Sequence, residues 1–361
     1  VGAPRPIKLD ALGRRAAAMM SGVCFRHDAT RPGPHDGYTL TKLWVSHTSL
    51  DEAEAACARF RALGRPSHVS CDTRLRVREA GDGDGTARGG AHAAAKRAAE
   101  AAAPGAPAPP NVFLLMLDPM SRDHFARALP RTARLLPTLG FARFANYSAV
   151  GPNSGPNQVP LYTGRPLVGR DVAGLANRSK WIWDELRALG YATLKAEDGC
   201  VENSNMVQSI RPRVDHGSQL AQLFCQGFAR PACLGDRLAA AHLLDYANRF
   251  VRGYQRAKRP WAAFVSLVDA HEDSMVVANH LDGLLHDFFS KNIKSLAEKT
   301  LLILISDHGL HYGPHFLTAR GERERAEPVL YMRAPAARGA PSTVPAGNAR
   351  ARAAPFDVHA T

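Results

Sequence analysis

Three apolar runs along the chain each end on an acid. Residues 112–117 read Val-Phe-Leu-Leu-Met-Leu and stop at Asp118. Residues 261–268, Trp-Ala-Ala-Phe-Val-Ser-Leu-Val, stop at Asp269, with His271, Glu272 and Asp273 just behind. Residues 301–305, Leu-Leu-Ile-Leu-Ile, run into Ser306, Asp307, His308 and Gly309. Unbroken apolar runs of this length read as strands covered on both faces, as in a parallel sheet. Between them lie helical patterns over 121–136, 233–257 and 280–299. Strands alternating with helices predict a doubly wound, mainly parallel α/β sheet flanked by helices. Ligands in such sheets bind beyond the carboxyl ends of the strands. Asp118, Asp269 and Asp307 are therefore expected at one edge.

An Asp-His-Gly after a strand is by itself an ordinary turn, and strand-end acids also cap helices. Three matching strand ends say more. Clustered carboxylates repel one another and raise each other's pKa, so a cation is needed to offset them. Carboxylates with neutral imidazoles form a ligand set suited to zinc or a similar divalent ion. Asp118, Asp307 and His308 are the first candidates. A second element, residues 146–165, carries Ser154 followed by Gly155, Pro156 and Asn157. Serine at an N-cap with proline in the first turn is a common helix start. The same place feels the positive end of the helix dipole, which favours an alkoxide or a bound anion. With a metal beside it, Ser154 becomes a candidate nucleophile, and Asn157 a candidate amide donor to a phosphoryl or sulfuryl oxygen.

Composition narrows the setting. The chain has 361 residues, 45% hydrophobic and 22% charged, enough for one large core or two smaller ones. Its net charge of +13 is spread as scattered arginine, which suits an anionic substrate and gives no expectation of specific nucleic-acid binding. No run reaches the length of a membrane span, so any membrane anchoring would lie outside this chain. The sequence begins at Val1 without a signal-peptide pattern and reads as a mature or partial product. Residues 1–75 form a helical, cysteine-containing region, 76–110 an Ala/Gly/Pro-rich linker, and 111–361 the expected catalytic domain. The six cysteines (Cys24, Cys57, Cys71, Cys200, Cys225 and Cys233) show no CxxC zinc pattern, and Cys233 lies close enough in sequence to bridge Cys225, with Cys200 as an alternative. Sequons at Asn146 and Asn177, together with these cysteines, point to a disulfide-bonded glycoprotein of the secretory route, extracellular or lumenal. Oligomeric state is left open.

The ordered set of an acid after the first strand, a Ser-x-Pro-Asn element, an Asp/His cluster and Ser-Asp-His-Gly resembles the alkaline phosphatase and sulfatase superfamily. The finer segments LDPMSRDHFARALPRT, LYTG, AEKTLLILISDHGLHYG, GERERAEPVLYMRAP and FDVHAT look like the DUF229 group of sulfatase-like proteins. The resemblance covers about Asn111 to the C-terminus and implies that the domain continues past this chain's last residue. It implies one or two divalent ions, zinc first, with calcium, magnesium or manganese as alternatives. Asp118, Asp307 and His308 match its first metal site, and Ser154 its nucleophile position. Asp269 and His271 resemble second-site ligands, at a shorter spacing than the phosphodiesterase pattern. His311 and His315 become candidate contacts to substrate or a second metal. Sulfatases of the superfamily carry an arginine where this chain has Gln158, which favours direct serine chemistry on a phosphate ester over a formylglycine sulfatase. A sulfatase-like hydrolase and a catalytically silent scaffold remain the other two readings.

Overall fold

The computed structural model describes residues 110–169, 179–198, 214–219, 233–234, 237–296, 299–335 and 344–361. The N-terminal cysteine region, nearly all of the linker and Asn177 lie outside these residues, as do the side chains of all six cysteines.

The strands are β1 (Asn111–Leu117), β2 (Ala142–Arg143), β3 (Ala192–Glu197), β4 (His216–Gln219), β5 (Cys233–Leu234), β6 (Arg237–Leu238), β7 (Trp261–Leu267), β8 (Thr300–Ile305) and β9 (Leu330–Arg333). The helices are α1 (Arg122–Ala128), α2 (Pro130–Thr138), α3 (Ser154–Thr163), α4 (Ile182–Ala188), α5 (Ala239–Arg256), α6 (Leu281–Leu296), α7 (Gly313–Phe316), α8 (Ala319–Ala326), α9 (Ala346–Arg350) and α10 (Pro355–His359). Seven strands form one sheet in the order β2-β9-β8-β1-β7-β3-β4. Neighbours from β8 across to β4 run parallel, and β9 and β2 close one side antiparallel. All three apolar runs are strands, and β1 lies centrally between β7 and β8.

Period-two alternation splits each run between two cores. Phe113, Leu115 and Leu117 of β1 join Ala263, Val265, Leu267, Leu302 and Leu304 in a core roofed by α1, α2, α5 and α6. Leu114 and Met116 join Ala262, Phe264, Ile303 and Ile305 in the opposite core, with Val159, Leu161 and Tyr162 of α3 and Trp183 of α4. Helices on both faces explain why these three runs are almost wholly apolar, with Ser266 of β7 the one polar residue inside them.

Two expected helices are broken. The pattern over 121–136 divides at Leu129 (φ −123°, ψ 55°), because Pro130 disfavours helical backbone in the residue before it and starts α2 itself. The pattern over 233–257 begins with a two-stranded antiparallel ribbon, Cys233 pairing with Leu238, and the helix starts only at Ala239.

Candidate active site

Asp118 follows β1 directly, and Asp307 lies two residues beyond β8. Met116 pairs with Ile305, so carrying that register two residues on sets Asp118 beside Asp307. Both continue the even and odd series, respectively, that face α3. Helix α3 brings Ser154 to the same spot. Asn153 is the N-cap and Ser154 the first helical residue, one place later than the sequence suggested. The Ser154 Oγ lies 3.4 Å from Asp118 Oδ2 and 3.2 Å from His308 Nε2. His308 Nε2 stands 3.9 Å from Asp118 Oδ1 and 3.6 Å from Asp307 Oδ2. Asp118, Asp307 and His308 are the one group of three or more His, Cys, Asp or Glu, among the described residues, whose ligand atoms lie within 4.8 Å of one another. All three are buried, as is Ser154.

The surroundings hold each group in one orientation. His308 Nδ1 is 2.8 Å from the Gly309 carbonyl, which makes Nδ1 the protonated nitrogen and turns the Nε2 lone pair toward the cluster. The His308 backbone N–H donates to Asp307 Oδ1 (2.9 Å), leaving Oδ2 toward Gln158 and the His308 Nε2. Burial, then the charges of Asp307 and Glu197, drive the Asp118 carboxyl well above its ordinary range, against the hydrogen bonds of Ser154 and Gln158. Ser306 Oγ accepts from Met120 N (2.8 Å) and donates to the His308 carbonyl (2.8 Å), tying the ends of β1 and β8 together. Gly309 has no positive φ; its missing side chain is what counts, because a Cβ there would sit 2.3 Å from the Glu324 carbonyl oxygen of α8.

With this geometry in place, comparison with known proteins becomes informative. A family model described as "Protein of unknown function (DUF229)" matches residues 87–361. The chain belongs to the DUF229 family. No curated protein matches the sequence. Among solved structures, the DUF229 chain is similar to the C-terminal periplasmic domain of EcEptC from Escherichia coli in complex with Zn: 11% identity, TM-score 0.50, covering 70% of this chain and 80% of that one. Two further likenesses are the lipoteichoic acid synthase LtaP from Listeria monocytogenes (10% identity, TM-score 0.48, 64% and 67% coverage) and a protein in the alkaline phosphatase superfamily from Vibrio parahaemolyticus (16% identity, TM-score 0.48, 63% and 60% coverage). The mainly parallel sheet flanked by helices is the fold class that the sequence suggested, and it is shared with the EcEptC domain.

The remaining expected residues of the DUF229 chain part ways. Asn157 does not face the cluster. Its Oδ1 accepts from Val150 N (2.7 Å) and Gly151 N (3.1 Å), and its Nδ2 donates to Gly151 O (3.0 Å) and Asn153 O (2.7 Å). All of its hydrogen-bonding capacity shapes the loop that precedes Ser154, and neither of its amide N–H groups is left to face the cluster. Asp269 and His271 are not assembled with the cluster around a second ion. Asp269 Oδ1 pairs with His280 Nε2 at 2.6 Å, and His271 Nδ1 meets the Tyr312 hydroxyl at 2.9 Å. Odd positions of β7 face the α5/α6 core, the side away from α3, and Asp269 continues that series. His311 is close: its ring centroid is 4.9 Å from that of His308 and 5.9 Å from that of His271. Burial, then the His308 and His271 charges, hold its pKa down to about 4, so it is a neutral imidazole at neutral pH. His271, His311 and Tyr312 make the more exposed rim of the buried cluster. His315 lies elsewhere, its Nε2 3.4 Å from Glu324 Oε2. It lines a cavity of about 410 Å³ with His124, Arg127 and Arg320, which contains none of the cluster residues.

Sequence reasoning used Gln158 only to weigh sulfatase against serine chemistry, and it passed over Glu197. Gln158 is buried with its Nε2 donating to both Asp118 Oδ2 (3.1 Å) and Asp307 Oδ2 (2.7 Å). Its place one helical turn after Ser154 was the available signal. Glu197, at the end of β3, is buried against Lys195 Nζ (2.8 Å) and adds negative charge near Asp118. A local Lys-x-Glu pair in a strand carries no sign of what lies across the sheet.

Proposed function

We propose that this chain is a metal-dependent hydrolase or transferase of phosphate esters, with Ser154 as the nucleophile. The observation that carries the reading is the convergence of a helix-start serine with two buried carboxylates and an oriented imidazole lone pair. The donor set fits a divalent ion, zinc first, because two buried carboxylates are costly without one and His308 Nε2 already faces them. A bound divalent ion would lower the serine pKa and neutralise charge growing on the phosphoryl oxygens. Asp118, Asp307 and His308 would hold it.

The chain's own groups supply the rest. Asn157 fixes the loop so that Ser154 Oγ keeps its place beside Asp118 and His308. Ser154 Oγ attacks phosphorus in line, the P–O bond to the leaving alcohol breaks, and the serine proton passes toward Asp118 Oδ2 at 3.4 Å. Water or a second alcohol then cleaves the phosphoserine. The neutral imidazole of His311 at the rim, its ring 4.9 Å from that of His308, would donate a hydrogen bond to the incoming ester.

Ser154→Ala tests the reading. Turnover of aryl phosphates or phosphodiesters should fall about a thousandfold or more, while metal content stays near that of the native chain. Intact-mass analysis of position 154 separates serine from formylglycine chemistry. An aldehyde there, or full activity in the alanine variant, would refute the serine route.

The compartment forms part of the same proposal: a secreted or lumenal glycoprotein acting on an anionic ester. The support is the sequence, with the sequon Asn146 exposed on the surface. No helix among the described residues is long and apolar enough to cross a membrane. Non-reducing peptide mass spectrometry of protein from its native host should find a glycan at Asn146 or Asn177 and Cys233 bridged to Cys225 or Cys200. Six free thiols with both asparagines bare would count against it.

A further inference from the structure

Gln158 bridges the two carboxylates with an uncharged amide, its nitrogen donating to both. It is buried, on the turn of α3 that follows Ser154. Two N–H groups facing two anions are what the cluster needs while no ion is present, since they offset the repulsion between Asp118 and Asp307. The same orientation becomes unfavourable once a cation sits between those oxygens. The carboxylates would then turn to the ion, and an NH₂ group would point its positive edge at a positive charge.

The amide has a simple remedy. A half-turn about its last torsion exchanges oxygen for nitrogen at nearly unchanged volume, and that torsion is soft. The separations agree with shared ligation. Atoms that bind one ion at about 2.1 Å stand roughly 3.0–3.4 Å apart along the edges of an octahedron or tetrahedron. Gln158 lies 3.1 and 2.7 Å from the two carboxylate oxygens, Ser154 lies 3.4 and 3.2 Å from its neighbours, and His308 3.6 and 3.9 Å from Asp307 and Asp118, so every separation falls inside that range or within about half an ångström of it.

We infer that Gln158 is a metal ligand of this site, with its amide nitrogen turned to the carboxylates before the ion arrives and its amide oxygen turned to the ion afterwards. This rests on the metal reading above. The ligand adds an oxygen without adding charge, so the two carboxylates still balance a divalent ion. It also makes the set richer in oxygen than a site closed by histidines or cysteines, which admits manganese or magnesium as well as zinc.

The test is a metal-loaded crystal structure of the native chain, with metal affinities of the native chain, Gln158→Leu and Gln158→Glu measured by chelator competition. The Gln158 oxygen should lie about 2.0–2.3 Å from the ion. Gln158→Leu, which keeps the volume and loses the oxygen, should bind zinc at least tenfold more weakly. Gln158→Glu, which restores an oxygen, should bind as tightly as the native chain or more so. A bound ion with both Gln158 amide atoms beyond about 3 Å, or a leucine variant with native affinity, would overturn the ligand assignment and leave the metal reading standing. A native chain that takes up no divalent ion would overturn the metal reading, and this ligand with it. The native metal-loaded structure decides the matter even where the leucine variant fails to fold.

Discussion

Asn157 makes four hydrogen bonds to Val150, Gly151 and Asn153 of the loop just before α3, and none of them reaches the reacting atoms. Its removal should therefore act through Ser154. Asn157→Ala leaves two backbone N–H groups and two carbonyls of a partly buried loop without partners, at a cost of about 2–3 kcal/mol. Chemical denaturation should show that loss. Because Ser154 directly follows the loop, kcat should fall more than KM rises, with metal content little changed. Steady-state kinetics beside metal analysis would distinguish this from direct substrate contact, which would raise KM instead.

Among the elements, α8 fastens the site from outside. Its Glu324 is buried and receives Ser121 Oγ (2.9 Å), both terminal nitrogens of Arg127 (2.9 and 2.8 Å) and Arg320 Nε (2.8 Å). Ser121 also caps α1 by accepting from His124 N (2.9 Å), so one carboxylate joins two helices. Burial works to raise the Glu324 carboxyl, but the bonds from Arg127 and Ser121 and the Arg127 charge outweigh it and hold the pKa at about 2. A depressed acid stabilises the fold above its unfolded pKa and loses that contribution as pH falls through its folded value. The window here runs from about 4.5 down to about 2. Since both arginines are partly exposed, the contribution is on the order of 2 kcal/mol. Acid titration of unfolding stability in chelator should lose that amount across the window in the native chain, and Glu324→Gln should flatten it.

For the molecule as a whole, a metal held by Asp118, Asp307 and His308 would join the ends of β1 and β8, two strands far apart in sequence. Ligation by these three residues needs β1 and β8 paired in the formed sheet, so binding and folding would be linked. A divalent ion at about a hundred times its Kd should add about 2.7 kcal/mol, raising Tm by several degrees. Calorimetry with zinc, then with excess chelator, should show the rise and its reversal. An unchanged Tm in zinc would argue that the cluster is only a buried polar network.

How much of this was legible in the chain divides along physical lines. The three apolar runs, read locally, sufficed for the central strands and for a mainly parallel sheet covered on both faces, because burial on both sides leaves almost nothing polar in the strand. The ordered motifs sufficed for the family and for Asp118, Ser154, Asp307 and His308 as candidates. The counting of strand parity was also available and would have separated Asp269, which continues the odd residues of β7 into the other core. What only the tertiary structure decided was partnership. Asn157 turned inward to its own loop, Asp269 found His280, Gly309 made room for α8, and Gln158 came to lie between two carboxylates from strands nearly two hundred residues apart. Residue type limits what a side chain can bond to, but the partner is chosen by packing, which depends on elements distant in sequence meeting at one edge of the sheet.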